Sequence, residues 1–120
     1  MQKNAILCDG GASQPGTASV QLIGEGQVQL VFCEYPEGEP RSFTCSLSSL
    51  LDVALGFKLE LASDSGKCLI TRGPGRIIMT VGVLEGSHAM YLVPEDTYTD
   101  ALFALVHAKA HEELALAHLP

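Results

Sequence analysis

Tryptophan is absent from this 120-residue chain, and the other large aromatic side chains are limited to four Phe and three Tyr. The core is therefore expected to consist mainly of Leu, Val, Ile and Ala side chains. Basic residues are also scarce: seven Lys and Arg stand against fourteen Asp and Glu, for a net charge of −7 at pH 7. Because affinity for nucleic acids comes mostly from Lys and Arg on phosphates, a nucleic-acid partner is not expected. The acidity favours a protein partner instead, in particular a basic one.

Long hydrophobic runs are lacking too. No stretch of the sequence approaches the roughly 18 apolar residues that a membrane-spanning helix needs, and the apolar run at residues 5–7 is too short for a signal peptide. A chain of this length is an ordinary size for one domain. We therefore predict a cytoplasmic protein with a single domain over residues 1–120 and no membrane partner.

The four cysteines show no CxxC spacing, which disfavours a zinc or redox motif. Three of them, Cys8, Cys33 and Cys68, sit in short apolar runs, so reduced and buried core thiols are predicted. A zinc site or a disulfide stays the alternative. No cofactor is predicted.

Glycine and proline punctuate the chain up to about residue 95, which favours strands first and a helix last. No internal repeat is visible in the sequence. The pattern predicts an α+β fold: a curved, mainly antiparallel sheet of six to eight strands, a short central helix and a long C-terminal helix packed on the sheet. Strands are predicted at 4–8, 18–23, 27–35, 41–44, 57–61, 67–72, 76–84 and 88–93.

The central helix is predicted over residues 46–56, with Ser46 as its N-cap and Gly56 just beyond its C-terminus. For the C-terminal helix, Pro94 marks the start, and Thr97 with Asp100 three residues later resembles a capping box. At about 100° per residue, one broad apolar face is predicted to pack on the sheet. That face comprises Leu102, Phe103, Val106, Ala110, Leu114 and Ala117. It is wide for one sheet face, so a homodimer is possible, although Lys109 and Glu113 interrupt it.

Two histidines of the same helix are candidate metal ligands. His107 and His111 are spaced i, i+4, which allows two imidazoles to bind one ion. Asp100 falls in the same arc of the helix. The alternative interpretation is a solvated helix face without a ligand.

Charged side chains at two turns are candidates for binding a ligand or partner. Arg72 and Arg76 flank the turn at residues 73–75, and two arginines there can hold a phosphate or a carboxylate. Glu37 and Glu39 lie in an exposed turn and are candidates for docking a partner. Charged residues are also common in solvated turns, which is the alternative for both pairs.

A pattern near the start resembles a known family. Residues 6–16 (ILCDGGASQPG) resemble the first strand and loop of ribonuclease H proteins, and residues 93–102 are similar to that family's last helix. The resemblance implies that Asp9 and Asp100 lie near two Mg²⁺ ions, which activate water and stabilise the leaving oxygen.

The family's two other metal-binding carboxylates fall, in this chain, near Ser49 and near the turn at residues 73–75, where no carboxylate stands. The resemblance therefore implies a ribonuclease H-like domain with an incomplete catalytic set.

These observations predict a binding protein rather than an enzyme. The preferred interpretation is a small acidic module that acts through protein–protein contacts, such as an accessory, inhibitor or immunity-type protein. One alternative is a small-molecule-binding domain with a cavity between sheet and helix. The other is the incomplete ribonuclease H-like domain.

Overall fold

Eight strands and two helices make up the described chain: four strands and a helix, followed by four more strands and a second helix. The computed structural model describes residues 4–9, 15–34, 39–64, 66–82 and 88–117, except the side chains of residues 112 and 115–117. The elements are β1 (Asn4–Cys8), β2 (Gly16–Gly24), β3 (Gln27–Glu34), β4 (Arg41–Ser46), α1 (Leu47–Ala54), β5 (Leu59–Ser63), β6 (Gly66–Gly73), β7 (Arg76–Gly82), β8 (His88–Pro94) and α2 (Glu95–Ala117).

The strands form two antiparallel sheets rather than the single curved sheet that the sequence predicted. Sheet A has the order β1-β2-β3-β4 and sheet B the order β5-β6-β7-β8. The helix α1 separates β4 from β5 along the chain, and the two are edge strands of different sheets. They still adjoin at one corner, where the Ser63 hydroxyl donates to the Ser42 carbonyl oxygen at 2.9 Å. The α+β class, the antiparallel pairing, the short helix and the C-terminal helix are confirmed.

Alternation along the strands builds one core between the inner faces of the two sheets. In β2 and β3 every second side chain is buried, as the period-two pattern predicted. The ring of Phe32 in sheet A lies 5.0 Å from the ring of Tyr91 in sheet B, centre to centre. Each sheet thus covers the apolar face of the other.

The chain repeats its architecture, although its sequence shows no repeat. Each half consists of four strands in consecutive order followed by a helix. In the first half the N–H of Leu47, the first residue of α1, donates to the carbonyl oxygen of Gly26 at 2.8 Å. In the second half the N–H of Glu95, the first residue of α2, donates to Gly75 at 3.1 Å. Both glycines end the hairpin between the second and third strands of their half, and both have a positive φ (78° and 70°).

The capping of α1 follows the prediction. The Ser46 hydroxyl accepts a hydrogen bond from the Ser49 N–H at 3.1 Å, and Ser46 is the N-cap. After the C-cap Leu55, Gly56 adopts a φ of 103°, which is the left-handed conformation expected just beyond a helix end.

Two predictions for α2 are wrong, one for its start and one for its packing face. The helix begins at Glu95, so Thr97 and Asp100 lie inside it and form no capping box at its start. Of the face predicted to pack on the sheet, only Leu102 is buried. Three other members, Phe103, Val106 and Leu114, are exposed, and so is Ala110; the side chain of Ala117 lies outside the described residues. The residues of α2 that are buried are Tyr98, Ala101, Leu102, Leu105 and Ala108.

Within the described residues, neither helix is long and apolar enough to cross a membrane.

Candidate functional site

The outer faces of the two sheets differ in chemistry. On sheet A the central outward positions are uncharged: the polar Ser19, Gln21, Gln29 and Thr44 lie among the apolar Ile6, Ile23 and Val31. On sheet B the outward positions combine apolar and charged side chains. A surface with both kinds of group offers burial and directed contacts to a ligand, so sheet B is the stronger candidate.

Strand register assembles this surface on sheet B from four separate strands. Glu60 on β5 stands opposite Leu69 on β6, which stands opposite Thr80 on β7, and Thr80 stands opposite Met90 on β8. All four point outward, because their neighbours along each strand, such as Ile70 and Met79, are buried in the core. Leu69 and Met90 are 36% and 53% exposed, so this row presents apolar surface to solvent.

A second row runs beside the first, and a cleft opens over both. Lys67 on β6 is paired with Gly82 on β7, and Gly82 with His88 on β8. The cleft has a volume of about 790 Å³. Its lining includes Glu60, Lys67, Leu69, Thr80, Gly82 and His88.

Gly82 determines where the His88 imidazole lies. A Cβ atom at position 82 would stand 2.7 Å from the Cδ2 and 2.9 Å from the Nε2 of His88. The ring therefore rests directly on the backbone of β7 at this point. Any residue with a side chain would push the imidazole away, so the glycine keeps His88 at the wall of the cleft.

Charges of both signs surround the cleft. Lys67 lies in one row with His88, and Glu60 in the other row. Glu60 also pairs with Lys58 at 3.4 Å, an ion pair in which both side chains are more than half exposed. Such an exposed pair contributes little to stability and exchanges readily for a ligand's charge. The cleft can therefore receive a ligand with charged groups on either side of an apolar contact.

The thiol beneath the cleft is a core side chain with a raised pKa. Cys68 contributes to the lining but its side chain belongs to the core. Burial, together with the nearby Cys45, raises the pKa of the Cys68 thiol from 9.0 to about 12. Burial likewise raises the pKa of Cys45 to about 11. Both stay protonated at neutral pH, and the thiolate is the reactive form.

All four cysteines are free thiols, but the predicted burial is confirmed for Cys68 and wrong for Cys8 and Cys33. Cys45 and Cys68 are buried, whereas Cys8 and Cys33 are half-buried.

Of the two predicted arginines, Arg72 is engaged by its own chain. Its guanidinium pairs with the carboxylate of Glu95 at 2.6 Å and donates to the carbonyl oxygen of Ala54 at 2.9 Å. It thereby joins the end of α1 to the start of α2. Arg76 is exposed at the start of β7, opposite Gly73, on the other side of the turn.

Of the two acidic candidates, the structure describes Glu39. Glu39 is exposed just before β4, in the connection that leads from sheet A's third strand to its fourth. Glu37 lies outside the described residues. Glu39 does not line the cleft on sheet B, and a docking role for either glutamate stays a prediction.

The candidate metal ligands are exposed. Asp9 follows β1, while Asp100, His107 and His111 lie on α2. In the part of the chain that the structure describes, no three His, Cys, Asp or Glu side chains come together to hold a metal ion. Among its described residues, one copy of the chain therefore offers at most a pair of ligands at any of these positions.

Sequence reasoning did not select any residue of the cleft. The signal was present in part: Leu69 is apolar but occupies the outward position of an alternating strand, between the buried Cys68 and Ile70. What the sequence lacked was the register, which brings Leu69 beside Glu60 and Thr80 from two other strands.

Comparison with known proteins gives no relative: no family model, curated protein or solved structure matches this chain. The chemistry of the cleft and of the exposed surfaces is therefore what bears on function.

Proposed function

We propose that this protein is a binding module that acts through protein–protein contacts, as an accessory, inhibitor or immunity-type protein does. The observation that carries this proposal is the cleft on the outer face of sheet B, where the exposed Leu69 lies between Glu60 on one strand and Thr80 on another. A central apolar contact with a polar rim is the usual anatomy of a protein interface.

The electrostatics of the described residues favour binding over catalysis. Their buried side chains include no charged group, and no buried polar side-chain atom lacks a hydrogen-bond partner. Catalytic acids and bases usually need a pKa shifted by burial or by a close charge. The groups with a raised pKa here are cysteine thiols and tyrosine hydroxyls, which stay neutral at pH 7.

The partner expected at the cleft is an extended segment of a basic protein. An extended chain places alternate side chains on one side, and their spacing matches the rows of a sheet. One apolar side chain would cover Leu69, and a basic one would reach Glu60. The net charge of −7 accelerates the approach of a basic partner.

Selection from a displayed library of random peptides tests this proposal. The bait is the protein, and selected peptides are then measured against Leu69→Asp by titration calorimetry. We expect peptides enriched in Lys, Arg and apolar residues, with affinity for Leu69→Asp reduced on the order of tenfold or more, since an apolar contact becomes a buried charge.

Thr44→Asp is the matched control, because Thr44 points outward from sheet A and is also exposed to solvent. Its affinity for the peptides is expected to equal that of the unmodified protein. Peptides that bind Leu69→Asp and the unmodified protein equally would refute the cleft as the docking surface.

The volume of the cleft favours a small molecule as the second candidate. At about 790 Å³ it falls within the range of ordinary ligand sites. Its place differs from the predicted cavity between sheet and helix, because it lies on the outer face of sheet B. Thermal-shift screening of a metabolite library distinguishes the two candidates: a compound that raises the melting temperature of the unmodified protein but not of Leu69→Asp supports a small-molecule site.

A further inference from the structure

Helix α2 has an apolar stripe on the side that faces away from the core. Phe103, Val106 and Leu114 are 64%, 38% and 60% exposed, and Ala110 between them is also exposed. At about 100° per residue these four side chains lie within an arc of about 80°, well separated from the buried Leu105. A helix that is apolar on two sides is typical of one packed on two sides.

The stripe matches itself when two copies of α2 run antiparallel. With the two-fold axis between residues 108 and 109, Phe103 of one copy faces Leu114 of the other. In this register Val106 and Ala110 of the two copies lie opposite each other to within one residue, or about 1.5 Å along the helix. The two largest side chains of the stripe therefore meet at both ends of the pair, with the smaller Val106 and Ala110 between them. Symmetric pairing of one surface with itself is the usual basis of a dimer.

The same register brings histidines together. His107 and His111 are exposed and lie along one edge of the stripe, one helical turn apart. In an antiparallel pair this edge meets its own copy, so His107 of each chain lies opposite His111 of the other to within one residue, or about 1.5 Å along the helix. Paired helices lie about 8–10 Å apart, which leaves imidazoles at the edge within reach of a shared ion.

The apolar stripe alone is too small for a stable dimer. At their observed exposures its side chains present roughly 300 Å² per copy, against about 800 Å² per partner in a standard interface. Two chains with a net charge of −7 each also repel one another. A divalent cation bound by residues of both chains offsets that repulsion and adds the missing attraction.

We propose that α2 pairs antiparallel with α2 of a second copy, and that His107 and His111 of both copies bind one Zn²⁺ ion in a four-imidazole site. Four ligands in a tetrahedron is the coordination that structural zinc prefers, and one chain supplies two of them at the i, i+4 spacing that binds a single ion. This inference concerns a surface other than the cleft on sheet B and goes beyond the proposed function.

Sedimentation velocity of the tag-free full chain tests the proposal, in EDTA and with one equivalent of Zn²⁺ per two chains. We expect monomer in EDTA at micromolar concentration and dimer with Zn²⁺, with dimer affinity raised on the order of 100-fold. Native mass spectrometry is expected to show one Zn²⁺ per dimer. The double substitution His107→Ala/His111→Ala should abolish the effect of zinc.

Two further variants make the test specific. Phe103→Ser should weaken the zinc-dependent dimer while leaving the melting temperature of the monomer in EDTA unchanged, because Phe103 is exposed there. His88→Ala, at the cleft on sheet B, should dimerise with zinc as the unmodified protein does. A chain that stays monomeric with zinc, or a dimer that ignores zinc, or one that survives the double histidine substitution, overturns the proposal.

Discussion

At the scale of single residues, a Cβ atom at Gly16 or Gly82 would collide with a neighbouring residue, although neither glycine has a backbone conformation that other residues avoid. A Cβ at Gly16 would lie 1.9 Å from the carbonyl oxygen of Cys33, on the adjacent strand β3. A Cβ at Gly82 would instead meet the ring of His88, which is an exposed side chain that can rotate away. The first obstacle is backbone inside a sheet, and the second is the movable end of a side chain.

Alanine at these two positions should therefore have different effects. We expect Gly16→Ala to destabilise the fold by about 1 to 3 kcal/mol, because β2 and β3 must shift apart. We expect Gly82→Ala to cost less than about 1 kcal/mol while displacing the His88 imidazole. Urea unfolding measures the first effect, and the NMR shifts of the His88 ring protons measure the second. Equal losses of stability would contradict this account.

Buried thiols and phenols give the protein a one-sided dependence on pH. Burial raises the pKa of Cys45 from 9.0 to about 11 and that of Tyr91 from 10.0 to about 12. It also raises the pKa of Tyr98, whose hydroxyl donates to the Leu50 carbonyl oxygen at 2.5 Å. Each group favours the folded state while protonated, so its contribution is complete below its unfolded-state pKa and is lost as pH rises through the folded-state value.

Stability is therefore expected to fall between about pH 9 and pH 12 because of these groups, whose contribution is constant between about pH 6 and pH 8. The urea midpoint at pH 10.5 should lie below that at pH 8. Cys45→Ala should reduce this decrease, whereas Cys33→Ala, at a half-buried position, serves as the matched control. An equal decrease in both variants and in the unmodified protein would contradict a role for Cys45.

At the scale of secondary-structure elements, the sequence predicted the strands and α1 well and the orientation of α2 badly. The strands alternate with period two, and Ser46 and Gly56 delimit α1, so local chemistry was sufficient there. Helix α2 has apolar residues almost evenly around its circumference. Local periodicity then cannot choose a face, and the side with the small Ala101 and Ala108 was selected by close packing instead.

The cleft on sheet B could not be predicted from the sequence, for a related reason. Each strand on its own shows that Leu69 points outward, but a cleft needs the lateral order and register of four strands. Those depend on contacts between residues far apart in sequence, such as Gly82 and Lys67 across β7 and β6.

Paired alanine substitutions on α2 test its observed orientation. Leu105→Ala should destabilise the monomer by about 2 to 5 kcal/mol, since a fully buried side chain leaves a cavity. Phe103→Ala should change the free energy of unfolding by less than about 0.5 kcal/mol, because its ring is already exposed. Urea unfolding in EDTA measures both. The reverse order of effects would restore the packing face that the sequence predicted.

At the scale of the whole molecule, the two halves, each of four strands and a helix, depend on each other. The inner face of sheet A is covered by sheet B, with Phe32 and Tyr91 in contact across the core. Arg72 of the second half holds the end of α1 in the first half, through the Ala54 carbonyl oxygen. Neither half has its apolar side chains covered by its own residues alone, so neither is expected to meet the entropic cost of folding by itself.

Separate expression of residues 1–56 and 57–120 tests this dependence. Each fragment should show little regular structure by circular dichroism, and the mixture should recover the spectrum of the intact chain as a complex with one copy of each fragment. Tyr91→Ala in the second fragment should weaken the complex on the order of 100-fold or more, because a large buried ring at the junction of the sheets is lost. Met90→Ala, at the outward position beside it, is the control and should leave the affinity unchanged. A cooperative unfolding transition in either fragment alone would show that the two halves fold independently, each with a core of its own.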